Sequence, residues 1–375
     1  MKIKLKKSDL VEAVNIAQRA IPAKSPMPIL TCFHIRACEN GVYFSSNDTE
    51  LAVKTLIRSE KCVITEEGAI AAEARLFNEI VKKISFEEAA EVIISSEGSL
   101  IEISSGRSVF RIQEKDPDQF PALPEVNGEN LITVSQFTLK EIIRQTVFAI
   151  AANDSNRMMT GELFEIKGNN LRAAALDGHR ISVRNTTLKE SYEDQSVIIP
   201  GKTLNEISKV IADDAEKDVE ICFDNNFASF KFSDTVFVSR LIEGEFFRID
   251  AMLSQDYETK IEINRREILS SVERATILIS ETDKKPLVLK VEDDTLNVRV
   301  NSQTGFLDDV INVEKTGRNI MAAFNPRFLL DALRAVDTET ASLYMTTPKA
   351  PLYIRDEENT YIYLILPVNF NPSAY

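Results

Sequence analysis

Cysteine and histidine are scarce in this chain of 375 residues, which contains four cysteines and two histidines. No two cysteines form a C-x-x-C pair, so the sequence has no zinc or redox motif of that type, and we expect neither a metal nor a cofactor. So few thiols in a chain of this length are typical of a protein that keeps them reduced and mostly buried, which predicts a cytoplasmic location.

Long hydrophobic runs are absent as well. The N-terminal segment MKIKLKKSDL has no apolar stretch long enough for a signal peptide, and no run in the chain is long enough to cross a bilayer. The apolar fraction of 44% and the charged fraction of 27% are typical of a soluble globular protein. We therefore expect two or three globular domains and no membrane partner.

Positive charge is in deficit, because 44 lysines and arginines face 58 aspartates and glutamates. Taken alone, a net charge of −14 argues against a nucleic-acid partner. The positions of the charges lead to the opposite conclusion, and those positions follow from a repeat.

One unit occurs three times in the chain. The segments that begin at Ile3, Ile132 and Ile261 each start with alternating apolar residues, which predict a strand, and continue with helical spacing. Their apolar positions coincide without a gap, at an offset of 129 residues both times. Coincidence between generic amphipathic helices is the alternative explanation.

A second predicted helix follows in each copy, and strand-like segments with polar turns make up the remainder. Each copy thus has two helices and about eight short antiparallel strands, which predicts an α+β fold of three tandem units. The second helices are predicted at 74–84, 201–211 and 326–336. Polar and proline-bearing stretches place the domain boundaries so that the domains cover 1–128, 129–257 and 258–375.

Charge is sorted within the repeats. Windows around the six predicted helices carry twenty basic and ten acidic residues, so the rest of the chain holds all of the negative excess. Arg75, Lys202 and Arg327 occupy the same site at the start of each second helix, where a cation opposes the helix dipole at a cost of roughly a few tenths of a kcal/mol. Three such placements favour an external anion as a partner, although an ordinary surface cation is the alternative for each one alone.

The sequence resembles the bacterial DNA polymerase III beta subunits, or sliding clamps, over its whole length. The resemblance is carried by PILTCFHI, SGRSVFRI, DGHRIS, VIIPGKTLNEI and the near-terminal YLILPV, in this order. It implies a head-to-tail homodimer in which six units form a closed ring, with helices around a hole for duplex DNA and strands outside. It also implies a non-catalytic processivity factor in the cytoplasm.

The same resemblance implies the partners. Lys24, Arg75 and Lys202 match positions that contact DNA in the family, and such contacts go to phosphates without sequence preference. The expected partners are double-stranded DNA, a second copy of the chain, the replicative DNA polymerase alpha subunit, the clamp loader complex and other clamp-binding repair and replication proteins.

Ring closure requires a contact between the first unit of one chain and the third unit of another. The five residues implied there are apolar, so each could instead lie in the core of its own unit. They are Leu76, Ile80, Phe110, Ile277 and Leu278. Relatives carry an acidic cluster in this region, whereas this chain has only Asp308 and Asp309. A monomeric β-rich scaffold that binds proteins is the alternative to the ring.

The segment AALDGHRISV places one of the two histidines between an aspartate and an arginine. Asp177–Gly178 is a strong hairpin signal, so a turn between two strands is predicted. A hydrolase that used Asp177 and His179 would need a nucleophile or metal ligands nearby, and the sequence offers none at this turn. An exposed turn of ordinary polar residues is a further alternative.

The resemblance implies that this turn is one wall of a cleft that accepts short peptides of partner proteins. Phe247, Ala251 and Asn369 stand where relatives have a proline and two arginines, so the rim of the cleft differs from theirs. The residues implied in the cleft are Thr160, Leu176, Gly178, His179, Arg180, Ile181, Phe247, Met252, Ile365, Leu366, Pro367 and Val368.

Overall fold

The computed structural model describes residues 1–126, 131–152, 155–279 and 285–372 of the chain. Over these residues the fold is α+β, as predicted, and all six predicted helices are present together with one additional short helix. The expected boundary between residues 128 and 129 lies outside the described residues. The helices are α1 (Lys7–Ala17), α2 (Ala74–Lys83), α3 (Gln136–Thr146), α4 (Gly201–Ser208), α5 (Ile249–Met252), α6 (Arg265–Thr276) and α7 (Pro326–Ala335).

Strands make up most of the rest of the described chain, and nearly all are short. In chain order they are β1 (Lys2–Lys6), β2 (Cys32–Cys38), β3 (Gly41–Asn47), β4 (Leu51–Arg58), β5 (Cys62–Glu66), β6 (Gly68–Glu73), β7 (Glu91–Glu97), β8 (Leu100–Ser105), β9 (Ser108–Lys115), β10 (Leu131–Ser135), β11 (Gly161–Leu176), β12 (Arg180–Pro200), β13 (Asp218–Phe223), β14 (Phe227–Phe232), β15 (Thr235–Arg240), β16 (Thr259–Asn264), β17 (Leu287–Glu292), β18 (Thr295–Ser302), β19 (Gly305–Asn312), β20 (Glu314–Gly317), β21 (Ile320–Phe324), β22 (Thr340–Met345), β23 (Leu352–Arg355) and β24 (Tyr361–Ile365).

The chain forms two compact units. The first comprises residues 1–139 and 205–241 and contains one antiparallel sheet in the order β10-β13-β14-β15-β4-β3-β2-β6-β9-β8-β7-β1-β5. Alternation along β1 places one face in the core: Ile3 and Leu5 are buried, whereas the lysines beside them are not. Phe77 and Val81 of α2 pack into the same core.

The second unit comprises residues 140–204 and 242–375 and contains two sheets, in the orders β11-β12-β24-β23-β22-β16-β20 and β19-β18-β17-β21. β11 and β12 form one long hairpin, and its register shifts on both sides of Gly168, which has a positive φ of 57°. Helices α6 and α7 pack against both sheets and bury Ile268, Val272 and Leu329 in a core that the two sheets share.

Polar side chains cap several helices at the start. The carboxylate of Glu73 accepts hydrogen bonds from the backbone N–H groups of Arg75 and Leu76, while Asn264 and Asn325 cap α6 and α7 in the same way. In the described part of the chain, no helix combines the length and the apolar character needed to span a membrane.

Candidate peptide cleft, DNA contacts and chain interface

The predicted hairpin at AALDGHRISV is present, and its central residues are Gly178 and His179. The backbone N–H of Asp177 donates to the carbonyl of Arg180 at 3.3 Å, and Gly178 adopts a φ of 80°, which glycine tolerates without strain. The Asp177 carboxylate accepts from the backbone N–H groups of His179 and Arg180 at 3.0 and 3.1 Å. This carboxylate therefore holds the turn together, as aspartates commonly do in tight turns.

The Arg180 side chain is enclosed rather than offered to solvent, since only 12% of it is exposed. Its guanidinium donates to the carboxylates of Asp177 and Asp331 and to the carbonyl of Phe148. It also lies 4.4 Å from the ring centroid of Phe328, a cation–π distance. Arg180 thus fixes the turn to the start of α7 and to the residues that follow α3.

The C-terminal segment lies beside the turn. β24 pairs with β12 so that Ile365 lies opposite Arg180, and the N–H of Leu366 donates to the carbonyl of His179 at 2.9 Å. Two residues later, the N–H of Val368 donates to the carbonyl of Ala323 at 2.8 Å. Alternation along this stretch buries Ile365 and exposes the side chains of Leu366 and Val368.

The residues predicted for the cleft fall into two groups in the structure. Leu176, Ile181 and Ile365 are buried and support the surface from below. The others are wholly or partly exposed: Thr160, Gly178, His179, Arg180, Phe247, Met252, Leu366, Pro367 and Val368. Ile249 of α5 is buried in the same core cluster as Leu176, and this anchors the short helix that presents Met252.

Sequence reasoning missed Phe328 and Asp331 of α7. The ring of Phe328 stacks on the imidazole of His179 at 6.1 Å between centroids, and Asp331 bonds Arg180. Phe328 is partly buried at the edge of the apolar stripe that α7 turns to the core, which includes Leu329 and Leu333. In the sequence, the only sign of a role for Phe328 was an aromatic residue next to such a stripe. Nothing in the sequence connects this residue to a turn about 150 residues earlier.

The three residues predicted to contact DNA are all exposed. Arg75 and Lys202 are each the second residue of a helix, as the repeat predicted, and Lys24 lies in a loop after α1. At α2, however, the carboxylate of Glu73 already occupies the positive helix end, and Arg75 lies 3.7 Å from Glu79. An external anion is therefore not needed at this end of α2, and the position of Arg75 no longer indicates an anionic partner.

The five residues predicted at the chain interface differ in burial. Leu76, Phe110 and Ile277 are exposed, Leu278 packs partly against the core of the second unit, and Ile80 is buried in the core of the first. The hydroxyl of Thr304 donates to the carbonyl of Leu278 at 3.0 Å, so the Ile277–Leu278 pair lies beside the start of β19.

Two strand edges near these residues were not predicted. In the described ranges, residues 108–113 of β9 pair only with β8, because the pairing of β9 with β6 is confined to Glu114 and Lys115. β19 ends its sheet, and among the described residues its outer edge has no strand partner. Both edges carry exposed apolar side chains, Val109 on β9 and Phe306 and Val310 on β19.

The two aspartates of β19 are paired within the chain. Partial burial alone would raise the pKa of Asp308, but hydrogen bonds from Arg299 and Asn297 hold the pKa of this carboxyl below its usual value. Asp309 behaves in the same way, because hydrogen bonds from Arg274 outweigh the effect of burial and lower its pKa. Both carboxylates therefore already have partners within their own chain.

The arrangement gives no support to hydrolysis at the turn. The Asp177 carboxylate bonds backbone N–H groups and Arg180, while the His179 ring lies on Phe328, so the two side chains do not form an acid–base pair. Within the described ranges, no group of three or more histidine, cysteine, aspartate or glutamate side chains could hold a metal ion.

Models of three protein families match successive parts of the chain. They are the N-terminal, central and C-terminal domains of the DNA polymerase III beta subunit, matched at residues 1–124, 133–247 and 251–369. The order of the three matches is that of the three repeats.

Individual relatives match over almost the full length. The beta sliding clamp of Staphylococcus epidermidis is 30% identical over 376 residues, which covers 98% of this chain and 99% of the relative. A crystal structure from Eubacterium rectale, described as a DNA polymerase III beta subunit, is 47% identical with a TM-score of 0.94 and covers 99% of this chain and 100% of the other. The sliding clamp of Bacillus subtilis is 30% identical, with the same TM-score and coverage. The chain therefore belongs to the DNA polymerase III beta subunit family, the non-catalytic DNA sliding clamps.

Proposed function

We propose that this chain assembles head to tail with a second copy into a closed ring around duplex DNA and tethers the replicative polymerase there. A closed ring is linked topologically to DNA, so it slides without leaving and needs only weak contacts to phosphates. For this chain, the observation that carries the proposal is a pair of strand edges with exposed apolar residues, one in each compact unit.

The two edges, at β9 and β19, are suited to each other. An unpaired edge presents a row of N–H and C=O groups that can extend the sheet of another chain, and exposed Val109, Phe306 and Val310 would be covered by that pairing. Since the edges are different surfaces, the contact is heterologous and two copies make it twice when the ring closes. Leu76, Phe110, Ile277 and Leu278 would add an apolar contact beside the paired strands.

The mass in solution tests the ring. We expect about twice the chain mass of 42.1 kDa at micromolar concentration, measured by light scattering after gel filtration. The mass should change little with salt, because Asp308 and Asp309 are already paired within their own chain. A single-chain mass would contradict the ring and favour the monomeric scaffold, whereas a continuous distribution of larger masses would indicate an open head-to-tail filament.

Lys24, Arg75 and Lys202 are proposed to contact the DNA within the ring. All three side chains are exposed, and Arg75 projects from the first turn of its helix, where its ion pair with Glu79 at 3.7 Å is exposed to solvent and therefore weak. Lysine and arginine at such positions bind phosphate oxygens without reading bases, which suits a protein that moves along any sequence.

The turn at 177–180 and the C-terminal segment are proposed to form the docking cleft for partner proteins. Exposed Leu366, Val368 and Met252 offer an apolar surface beside a rigid polar turn, the combination that binds a short peptide in one direction. The polymerase alpha subunit, the clamp loader and other clamp-binding replication and repair proteins would dock here, with the ring in the cytoplasm.

Leu366→Ala should weaken binding of a Gln-Leu-Ser-Leu-Phe peptide. The Leu366 side chain is 39% exposed, so the peptide can bury it, and the loss should be about 1–2 kcal/mol, or roughly five- to thirtyfold in Kd. Isothermal titration or fluorescence polarisation with a labelled peptide measures this directly. The substitution is preferable to truncation, because Leu364 and Ile365 belong to the core and their removal would damage the fold.

A matched control is Val63→Ala, which shortens an exposed apolar side chain on β5, in the other compact unit, and should leave peptide affinity unchanged. Equal affinities of the wild-type protein and the Leu366→Ala variant would place the peptide elsewhere on the chain.

A further inference from the structure

The carboxyl group of Glu162 lies in the interior of the second unit and has no part in the function described so far. It is the second residue of β11 and is fully buried, with 0% exposure. One of its oxygens, Oε1, is 2.5 Å from the hydroxyl of Thr146, and the other, Oε2, has no hydrogen-bond partner among the described residues. An ionised carboxylate with a single hydrogen bond is costly in such a place.

The geometry at Thr146 indicates where the protons are. The Thr146 hydroxyl oxygen is 2.6 Å from the carbonyl oxygen of Ile142 and 2.5 Å from Glu162 Oε1. A hydroxyl has one hydrogen, and two oxygens this close repel each other unless a hydrogen lies between them. If Thr146 donates to Ile142, as threonine commonly does within a helix, Glu162 must supply the second hydrogen as a neutral carboxylic acid.

This chain of hydrogen bonds fixes the end of α3. Thr146 is the last residue of α3, and its own carbonyl accepts from the hydroxyl of Ser182 on β12 at 2.7 Å. Two residues after Thr146, the carbonyl of Phe148 accepts from Arg180, and the ring of Phe148 packs on Tyr363 of β24. The end of α3 is therefore held by both strands of the hairpin and in turn supports the side chain that fixes the cleft turn.

We propose that Glu162 is held in its neutral acid form and acts as a positioning residue for the peptide cleft, by donating to Thr146 and so setting the support beneath Arg180. This inference rests on the cleft proposed above. It identifies Glu162 as a buried group, remote from the peptide, on which the geometry of that cleft depends.

Other charged groups do not account for the behaviour of Glu162. Burial raises its pKa to about 8, and the hydrogen bond with Thr146 offsets this only in part. The charged side chains on the elements packed around it have other partners: on α3, Arg144 with Glu141 and Asp337; on β12, Arg180 with Asp177 and Asp331, and Arg184 with Thr360; on β11, Glu165 with Lys167.

The sign of the pH dependence follows from the raised pKa. The neutral form of Glu162 is favoured in the folded chain. The contribution of neutral Glu162 to the stability of the fold is therefore complete below about pH 4.5, and it is lost as the pH rises through about 8. Ionised Glu162 cannot donate to Thr146 and so no longer sets the support beneath Arg180. Affinity for the Gln-Leu-Ser-Leu-Phe peptide should therefore fall by about tenfold between pH 7 and pH 9. In Glu162→Gln the amide N–H₂ still donates to Thr146, so affinity at pH 7 should persist and this fall should disappear.

The experiment measures peptide Kd at pH 7, 8 and 9 for the full-length wild-type protein, Glu162→Gln and Glu165→Gln. Glu165 is a matched carboxylate on the same strand, and its removal should leave the wild-type profile unchanged. All other groups of the cleft and peptide are shared, so the difference between wild type and Glu162→Gln isolates Glu162. Identical profiles for these two proteins would overturn the proposal, as would a loss of stability at pH 9 without a loss of affinity.

Hydrogen exchange on the free protein separates this inference from the cleft proposal. After correction for intrinsic rates, amides of residues 147–149 and 179–182 should exchange faster at pH 9 than at pH 7 in wild type and equally in Glu162→Gln. Absence of peptide binding at every pH would defeat the cleft, and the exchange data would still decide whether Glu162 supports the turn. If Glu162→Gln does not fold, Thr146→Ser, which keeps the hydroxyl, should retain affinity and Thr146→Val should lose it.

Discussion

Ile277→Asp together with Val310→Asp is expected to release single folded chains from the two-chain ring. In the separate chain both side chains are largely exposed, at 80% and 58%, so each new carboxylate stays hydrated and the fold should persist. In the ring both positions would be covered, and a buried charge without a partner costs about 3–5 kcal/mol. Two such charges should weaken association by at least roughly four orders of magnitude in Kd. Light scattering gives the mass, and the thermal unfolding midpoint shows whether the released chains remain folded.

Phe137→Asp is the matched control for this experiment. Phe137 is another exposed apolar residue, and it lies in the first turn of α3, where an acidic side chain suits the helix dipole. The control should keep the two-chain mass. A double variant that also keeps this mass would show that β19 and the residues after α6 lie outside the interface.

A clamp loaded onto nicked circular duplex is expected to stay there in high salt and to leave once the circle is cut. Topological linkage does not depend on counterions, whereas phosphate contacts weaken steeply as salt rises. The measurement is gel filtration of labelled clamp with its DNA, before and after cleavage at a single site, with a clamp loader present for the loading step. Retention on the cut DNA with free ends would show that the protein holds DNA by direct binding rather than by encirclement.

The variant Lys24→Ala/Arg75→Ala/Lys202→Ala separates the two ways of holding DNA. Direct binding to a short linear duplex should weaken, and the slope of log K against log salt should decrease by up to about 0.9 for each phosphate that the variant no longer neutralises. The two-chain mass and the retention of already loaded rings on circles should not change. If the variant keeps the two-chain mass but is lost from circular DNA, then these cations do more than contact the phosphates of the DNA.

Much of the fold was predictable because the repeat leaves its mark on every copy. Ile3, Ile132 and Ile261 lie near the start of β1, β10 and β16, and the second helix of each copy starts one residue before Arg75, Lys202 or Arg327. Apolar spacing is a local property, so it survives in the sequence. The order of strands in a sheet is not local, and for this reason the open edges of β9 and β19 could not be foreseen.

The proposed cleft shows the same limit of sequence-based prediction for single residues. Asp177–Gly178 predicted a turn, and the turn is there, but the enclosure of Arg180 depends on Asp331 and Phe328 from a distant helix. Glu162 stands in the segment GELFEIKG, where a glutamate between apolar residues is ordinarily expected to face solvent. Its burial follows from the position of Thr146, which only the tertiary structure reveals.

The pairing of β24 with β12 also means that the proposed cleft is completed late in the synthesis of the chain. One wall of the proposed cleft is made near residue 180 and the other by Leu366 and Val368, which leave the ribosome much later. The sheet that contains β12 stays open at this edge until the C-terminal strand arrives. Under the proposed function, a nascent chain that still lacks β24 would have an incomplete docking surface, and it could not draw the polymerase away from finished rings.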